Sequence, residues 1–196
     1  TYISYTNDRL ILDEICGYYH ADSTYGPLSK SARQDSILEH LICITDYLVS
    51  NIDEETGCVH ALFGDWNDAL DGLGKTDSKD SEFGTGVSVM ATEQLYLSLE
   101  QMIEILEYSG MYPELQEKYR KVSNKVAEAF RKYAVDTSGG KSRIIHGWGD
   151  KRKYLVGSFN DYDGRERLSL TSNSFFAISG LCNEFPELKC DIIQNI

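Results

Sequence analysis

The sequence is poor in proline and in positive charge, and it has no long apolar segment. Only 3 prolines occur in 196 residues, so little in the chain interrupts helix formation. The formal net charge of −12 argues against nucleic acid or an anionic membrane surface as a general partner. No apolar run approaches the about 20 residues that a membrane-spanning helix needs, and no signal-peptide pattern opens the chain. These absences favour a mainly helical globular protein that binds neither nucleic acid nor membrane.

Cysteine is present, but not at the spacing of a metal site. The five cysteines are an odd number, are widely separated and include no C-x-x-C pair. The four histidines add no ligand spacing, so no metal site is predicted. Three of the cysteines lie among apolar neighbours and are expected to be small buried side chains. Unpaired cysteines favour a reducing compartment, and we expect a cytoplasmic protein.

Hydrophobic periodicity predicts a series of long helices. Apolar residues recur at helical spacing over residues 31–52, 85–109 and 112–135. Gly110 is expected to end the second helix, and Pro113 to begin the third, where its missing N–H is no loss. We expect these three helices to pack as antiparallel neighbours.

The two ends of the chain carry weaker signals. Asn7 or Asp8 is a candidate cap for a short helix that would include Ile15. Short β-like pieces occupy residues 142–159, and helical patterning resumes near Ser172. The sequence therefore predicts a single domain over residues 1–196, mainly α, with a small β-hairpin insertion.

The stretch GDWNDALDGLG, residues 64–74, places a tryptophan between carboxylates in a glycine-flanked loop. The indole of Trp66 offers an apolar platform for the face of a sugar, and neighbouring carboxylates and the Asn67 amide can bind its hydroxyls. A carboxyl group beside an indole tends to have a raised pKa, which suits a general acid that protonates a glycosidic oxygen. The alternative is that Trp66 anchors the core while Asp65 and Asp68 cap the following turn.

Two other polar segments could bind an ion, but each has a simpler structural interpretation. The acidic run TDSKDSE, residues 76–82, lacks the residue pattern of a calcium loop and is expected to be a solvated loop. A basic cluster could hold an anion or could be a solvated hairpin, and the second interpretation is favoured. Its members are Lys141, Arg143, Lys151, Arg152, Lys153, Arg165 and Arg167. No serine or cysteine stands beside a histidine in a pattern typical of a nucleophilic triad.

Several motifs, in order along the chain, resemble those of glycoside hydrolase family 94. This family contains inverting β-glucoside phosphorylases such as cellobiose and chitobiose phosphorylase, and related β-glucan phosphorylases. The loop GDWNDALDGLG resembles the family's catalytic loop and is the most specific match. Supporting matches are YISYTNDRLILDE, SILEHLICITDYL, GVSVMATEQLYLSL, FNDYDG and SNSFFAISG.

The resemblance implies that the chain forms part of an (α/α)6 barrel, also called a helical toroid. It also implies a catalytic mechanism and the residues that carry it out. It implies that Asp68 is the general acid and that Trp66 lines a sugar subsite, while Asp65 and Asn67 contribute to the loop. The reaction would be phosphorolysis of a β-linked glucoside or oligosaccharide to an α-sugar 1-phosphate. Inorganic phosphate would be the co-substrate, and no cofactor would be needed.

The chain also departs from the family pattern. Val87 and Met90 stand where the family has a Glu and a Trp. Lys153 and Val156 stand where the family has a Trp and an Arg, and Phe175 stands where it has a Trp. The family's phosphate-binding loops and the upstream Arg and Asp of its sugar subsite are not in this chain, so this chain alone is expected to be inactive. Alternatives are an inverting (α/α)6 glycoside hydrolase and a catalytically inactive sugar-binding domain. A homodimer of the larger protein stays open.

Overall fold

Helices dominate the fold, and small two-stranded sheets accompany them. The structure is a computed structural model that describes residues 2–21, 26–63, 73–194 and 196. Its helices are α1 (Tyr2–Thr6), α2 (Ile37–Ser50), α3 (Val89–Ser109), α4 (Pro113–Tyr133), α5 (Leu170–Ile178), α6 (Leu181–Glu184) and α7 (Pro186–Ile193). Its strands are β1 (Ile15–Ala21), β2 (Leu28–Ser36), β3 (Val87–Ser88), β4 (Val135–Asp136), β5 (Arg143–Ile144) and β6 (Gly147–Trp148). The predicted mainly helical character is confirmed. Among the described helices, none combines the length and apolarity that crossing a membrane requires.

Helix α3 lies at the centre of the described core. Its buried residues point in several directions, towards α2, α4 and α5, and include Leu95, Leu99 and Ile103. In α4 the apolar residues form one stripe that ends at Phe130, whose ring stacks against those of Phe176 and Phe185. A helix buried on several faces fixes the position of whatever precedes its N-terminus, here β3.

Helices α3 and α4 are antiparallel. The Glu107 carboxylate pairs with Arg120, and one to two turns nearer the start of α3 the Glu100 carboxylate accepts a hydrogen bond from Ser123. The partner's number rises as the α3 number falls, which is the antiparallel order. A connection of three residues between the helices imposes the same arrangement.

Helices α2 and α4 run parallel. Tyr112 donates to Glu39 at 2.6 Å, and further along both helices Tyr119 donates to Asp46 at 3.0 Å. Since α3 is antiparallel to α4, it is antiparallel to α2 as well. The predicted antiparallel packing of consecutive helices is therefore confirmed.

The predicted helix boundaries at Gly110 and Pro113 are confirmed. Gly110 adopts φ 69°, a left-handed conformation, and its N–H donates to the Leu106 carbonyl at 3.0 Å. Pro113 occupies the first turn of α4. Both signals are local, so they survive in the folded protein.

The predicted N-terminal helix is wrong. Residues Leu10–Asp13 form only a 3-10 turn, whose start is held by the Asp8 carboxylate accepting from Leu10 N at 3.0 Å. Ile15 opens β1 instead of closing a helix. The chain then folds back, and β1 pairs antiparallel with β2.

The predicted helix over residues 31–52 begins too early. Residues up to Ser36 belong to β2, and α2 begins at Ile37. The Ser36 hydroxyl caps the helix by accepting from Glu39 N at 3.2 Å. Residues 31–36 contain one apolar side chain, Ala32, so the apolar spacing itself begins only at Ile37.

The cysteines are all unpaired, and burial divides them into two groups. Cys58 and Cys182 are buried, whereas Cys16, Cys43 and Cys190 are exposed, so two side chains are buried where three were expected. Burial raises the pKa of the Cys58 thiol to about 12.

Candidate active site

The four predicted site residues, Asp65, Trp66, Asn67 and Asp68, lie outside the described residues. The described residues end before this segment at Phe63 and begin again after it at Leu73. Both ends of the segment that contains them are described. We call residues 58–63 the upstream arm and residues 73–86 the downstream arm.

The upstream arm is held by backbone pairing beside β3. Ala61 N donates to the Gly86 carbonyl at 2.9 Å, and Ser88 N donates to the Val59 carbonyl at 3.1 Å. Val59 N in turn donates to the Thr92 hydroxyl in the first turn of α3, at 2.9 Å. The arm is thereby fixed to the N-terminus of the central helix.

The downstream arm begins in a crowded place where β3 pairs with β6. Leu73 is 1% exposed, and a Cβ on Gly86 would lie 1.5 Å from the Leu73 carbonyl oxygen. A Cβ on Gly147 would meet the Val87 carbonyl oxygen at 2.1 Å and the Leu73 side chain at 3.1 Å. Only glycine allows the backbones to approach so closely at these two positions. The arm therefore returns to the same β3–β6 ladder from which the upstream arm departs.

One carboxylate, that of Asp150, holds the downstream arm further along. It accepts hydrogen bonds from Thr85 N at 2.8 Å, from the Thr85 hydroxyl at 2.9 Å and from the Thr76 hydroxyl at 3.3 Å. The Thr85 backbone N–H makes the largest contribution to a lowered pKa of Asp150, which is 6% exposed. These donors favour the charged form, so Asp150 is a carboxylate under ordinary conditions.

The backbone around Asp150 is strained. Lys151, Arg152 and Tyr154 have φ values of 52°, 58° and 56°, in the left-handed region that residues with a Cβ seldom adopt. Lys151 N donates to the Thr85 hydroxyl at 2.7 Å, and the Lys153 ammonium pairs with Asp77 at 2.9 Å. Strain of this kind persists only where surrounding contacts over-determine the conformation, and it concentrates at functional sites.

A buried histidine stands at the other end of the ladder. The His146 carbonyl accepts from Val89 N at 2.9 Å, and its ring Nδ1 lies 3.0 Å from the Ser169 hydroxyl. No spacing rule predicts this pair, because the two residues are 23 positions apart. Ser169 is buried and caps α5 through Ser172 N. Its hydroxyl is therefore structural and does not make a nucleophile.

Glu93 is the least expected residue beside the ladder. It lies in the second turn of α3, is 0% exposed, and neither carboxyl oxygen has a hydrogen-bond partner within the described part of the chain. Burial raises its pKa well above the ordinary value and so favours the neutral form of the acid. The available sequence signal was its spacing of three and four residues from Met90, Tyr96 and Leu97, which places it on an apolar face.

The chain matches the model of the glycosyl hydrolase 94 superfamily, catalytic domain, over residues 1–195. It belongs to this family. No curated protein matches the chain. The family match spans both arms, the ladder and the D-W-N-D segment between them, as the resemblance implied.

Three of the five departures from the family pattern lie in the core of this glycosyl hydrolase 94 domain. Val87 is 0% exposed, and Met90 and Val156 are also buried. Phe175 is half-buried, whereas Lys153 is exposed and pairs with Asp77. Three of the departures are therefore buried side chains, and one is the surface partner of an ion pair.

Most of the basic cluster in this family member is neutralised by ion pairs. Arg143 pairs with Glu166, and Arg167 pairs with both Asp161 and Asp163. Two further pairs are Arg152 with Glu55 and Lys153 with Asp77. The paired charges argue against an anion site, but the predicted solvated hairpin is wrong, because β5 pairs with β4, β6 pairs with β3 and Arg143 is buried. Among the described residues no three His, Cys, Asp or Glu side chains group together as metal ligands would.

Proposed function

We propose that the protein catalyses inverting phosphorolysis of a β-linked glucoside or β-glucan oligosaccharide, with Asp68 as general acid. The observation that carries the proposal is the D-W-N-D segment, Asp65–Asp68, in a glycosyl hydrolase 94 domain that anchors both flanking arms on one ladder. A catalytic group must be held within fractions of an ångström of its target, and arms anchored on packed elements meet that need.

The reaction balances with one protein carboxyl group. Asp68 gives its proton to the bridging glycosidic oxygen as the bond from that oxygen to the anomeric carbon breaks. A phosphate oxygen forms a bond to the anomeric carbon from the opposite face, so the β-glucoside becomes an α-sugar 1-phosphate. Trp66 would support the sugar ring, and Asp65 and Asn67 would orient its hydroxyls or the loop. The Asp68 carboxylate then regains a proton from solvent.

Among the described residues, the two buried carboxyl groups at the ladder offer no general base, which supports phosphorolysis over hydrolysis. An inverting hydrolase needs a second carboxylate that activates water on the far side of the sugar. Asp150 already accepts three hydrogen bonds, and Glu93 is fully buried, which favours its neutral form. Neither is a suitable base. Phosphate is anionic before it binds and needs no such base.

We further propose that α2 to α5 are part of an (α/α)6 barrel. Helices α2, α3 and α4 alternate in direction, and α3 is enclosed by α2, α4 and α5 as an inner helix would be. Large apolar side chains are exposed on α2 and α5, among them Ile44, Tyr47 and Ile178. Further helices of such a barrel would cover them.

The test is an assay of the full-length protein on β-linked gluco-oligosaccharides, with and without inorganic phosphate. The expected result is turnover that requires phosphate and yields an α-sugar 1-phosphate, identified by phosphorus NMR. Release of reducing sugar at the same rate without phosphate would identify a hydrolase. Binding of the oligosaccharide without turnover under either condition would identify an inactive sugar-binding domain.

A further inference from the structure

We infer that Asp150 is a positioning residue for the general acid. It would act by bracing the downstream arm, which leads back from the D-W-N-D segment. The inference rests on the proposed function, because the effect on catalysis passes through the loop that carries Asp68.

The two arms share one backbone hydrogen bond, from Ala61 N to the Gly86 carbonyl, and are otherwise held by different means. Two backbone hydrogen bonds join the upstream arm to Gly86 and Ser88, next to Thr92 of the central helix. The downstream arm folds on itself through Gly84 N and the Gly74 carbonyl at 3.1 Å. Three of its bonds to the rest of the protein end on the Asp150 carboxylate, from Thr76 and Thr85, and it is joined to the segment after Asp150 by Lys151 N and by the surface pair of Asp77 with Lys153. Removing one carboxylate would therefore loosen this arm and leave the upstream arm intact.

Packing brings the Asp150 side chain close to the backbone of the downstream arm. A Cβ on Gly84 would lie 2.4 Å from the Lys75 carbonyl oxygen and 2.9 Å from both Cβ and Cγ of Asp150. The Asp150 side chain thus lies directly against the arm's backbone. The left-handed residues that follow Asp150 hold it in this position.

A short tether connects the arm to the proposed acid. Leu73, buried at the start of the downstream arm, follows Asp68 by five residues. A displacement of about 1 Å at a catalytic group can lower a rate about 100-fold. Loosening the arm should therefore reduce kcat more than it changes substrate binding.

The chain offers a matched control in Asp136. Its carboxylate also joins two segments through backbone donors, Ser138 N at 2.9 Å and Phe159 N at 2.7 Å. Its pKa is lowered as well, by those donors acting against its partial burial. Asp136 belongs to β4, which pairs with β5 and not with the β3–β6 ladder.

The first experiment measures bracing without reference to catalysis. Hydrogen exchange followed by mass spectrometry would compare the full-length protein with its Asp150→Asn and Asp136→Asn variants. Peptides covering residues 73–86 should exchange about 10-fold faster in Asp150→Asn and at the wild-type rate in Asp136→Asn. Unchanged exchange in Asp150→Asn would overturn the inference. Thr76→Val, which removes one hydroxyl donor and keeps the side-chain shape, provides a milder variant if Asp150→Asn does not fold.

The second experiment separates positioning from general damage. With a β-linked disaccharide and phosphate, Asp150→Asn should lower kcat about 10- to 100-fold and leave KM within about 3-fold of wild type. With a β-glucosyl fluoride, whose leaving group scarcely needs a proton, the loss should be at least about 5-fold smaller. Thr76→Val should show the same pattern at lower amplitude.

Equal losses on both substrates, or a loss matched by Asp136→Asn, would overturn the inference. If the wild-type protein shows no phosphate-dependent turnover, the proposed function fails and the catalytic part of the inference fails with it. Faster exchange in Asp150→Asn would still establish the bracing in that case, so the two failures are distinguishable.

Discussion

Two buried carboxyl groups flank the same β3–β6 ladder, and their surroundings are opposite. Asp150 follows β6 by two residues and accepts hydrogen bonds from Thr85 and Thr76. Glu93 follows β3 by five residues and has no partner for either oxygen within the described residues. The pKa is lowered for Asp150 and raised for Glu93. Burial alone thus says little about a carboxyl group, since its donors decide whether it is charged.

The comparison also separates two structural roles. A buried carboxylate with several donors ties distant segments together, and its removal leaves those donors unsatisfied. A buried neutral acid without partners costs stability, and an apolar side chain of similar size would serve the fold better. The following predictions test this division, beginning with the largest expected effect on stability.

Removal of the Asp150 side chain should give the largest loss of stability. We expect Asp150→Ala to lower the free energy of unfolding by about 2–3 kcal/mol, because charged hydrogen bonds are lost and their donors lack partners. Asp77→Ala is the control: Asp77 is exposed and pairs with Lys153 at the surface, so its loss should be much smaller. Denaturant unfolding measures both. Equal losses of stability would show that Asp150 does not hold the two segments together.

Replacement of Glu93 should change stability in the opposite direction. We expect Glu93→Met to raise the free energy of unfolding by about 1–2 kcal/mol, since an unpartnered polar group is replaced by an apolar one of similar length. Glu104→Met is the control, at an exposed position of the same helix, and should have little effect. A destabilised Glu93→Met protein would indicate that the carboxyl group has a partner in the folded state.

The two carboxyl groups should change stability with pH in opposite directions, and this is the smallest of the expected effects. The lowered pKa of Asp150 means that its contribution is present above an unfolded-state pKa of about 3.9 and is lost as the pH falls. The raised pKa of Glu93 means that its contribution is complete below about 4.3 and declines as the pH rises. Asp150→Asn should flatten the acid limb of the profile, and Glu93→Gln the limb at higher pH. If both variants flatten the same limb, the comparison is wrong.

The parts of the fold that could be predicted depend on local signals. Gly110 and Pro113 mark the junction between α3 and α4 by backbone chemistry that needs no distant contact. The β1–β2 hairpin could not be predicted in this way, because β2 is exposed at most positions and shows no alternation of apolar and polar residues. Its strands pair with each other, and pairing partners are not encoded in periodicity.

The contacts that hold the two arms could not be predicted, for a related reason. Asp150 reaches Thr85 and Thr76 across sequence separations of 65 and 74 residues, and no spacing rule links them. Glu93 reads in sequence as one more polar residue of a long helix, and only folding reveals that its face is buried. Asp65, Trp66, Asn67 and Asp68 came from a motif and a resemblance, and their roles stay predictions.

The central claim is that Asp68 is the general acid, and a leaving-group test on the full-length protein addresses it most directly. Rates of phosphorolysis would be compared for Asp68→Asn and Asp65→Asn on a β-linked disaccharide and on a β-glucosyl fluoride. Asp68→Asn should lose about 10²- to 10⁴-fold on the disaccharide and far less on the fluoride, which hardly requires protonation. Asp65→Asn should lose a similar factor on both. If Asp65→Asn shows the leaving-group dependence, or if neither variant does, the assignment of Asp68 as the acid is contradicted.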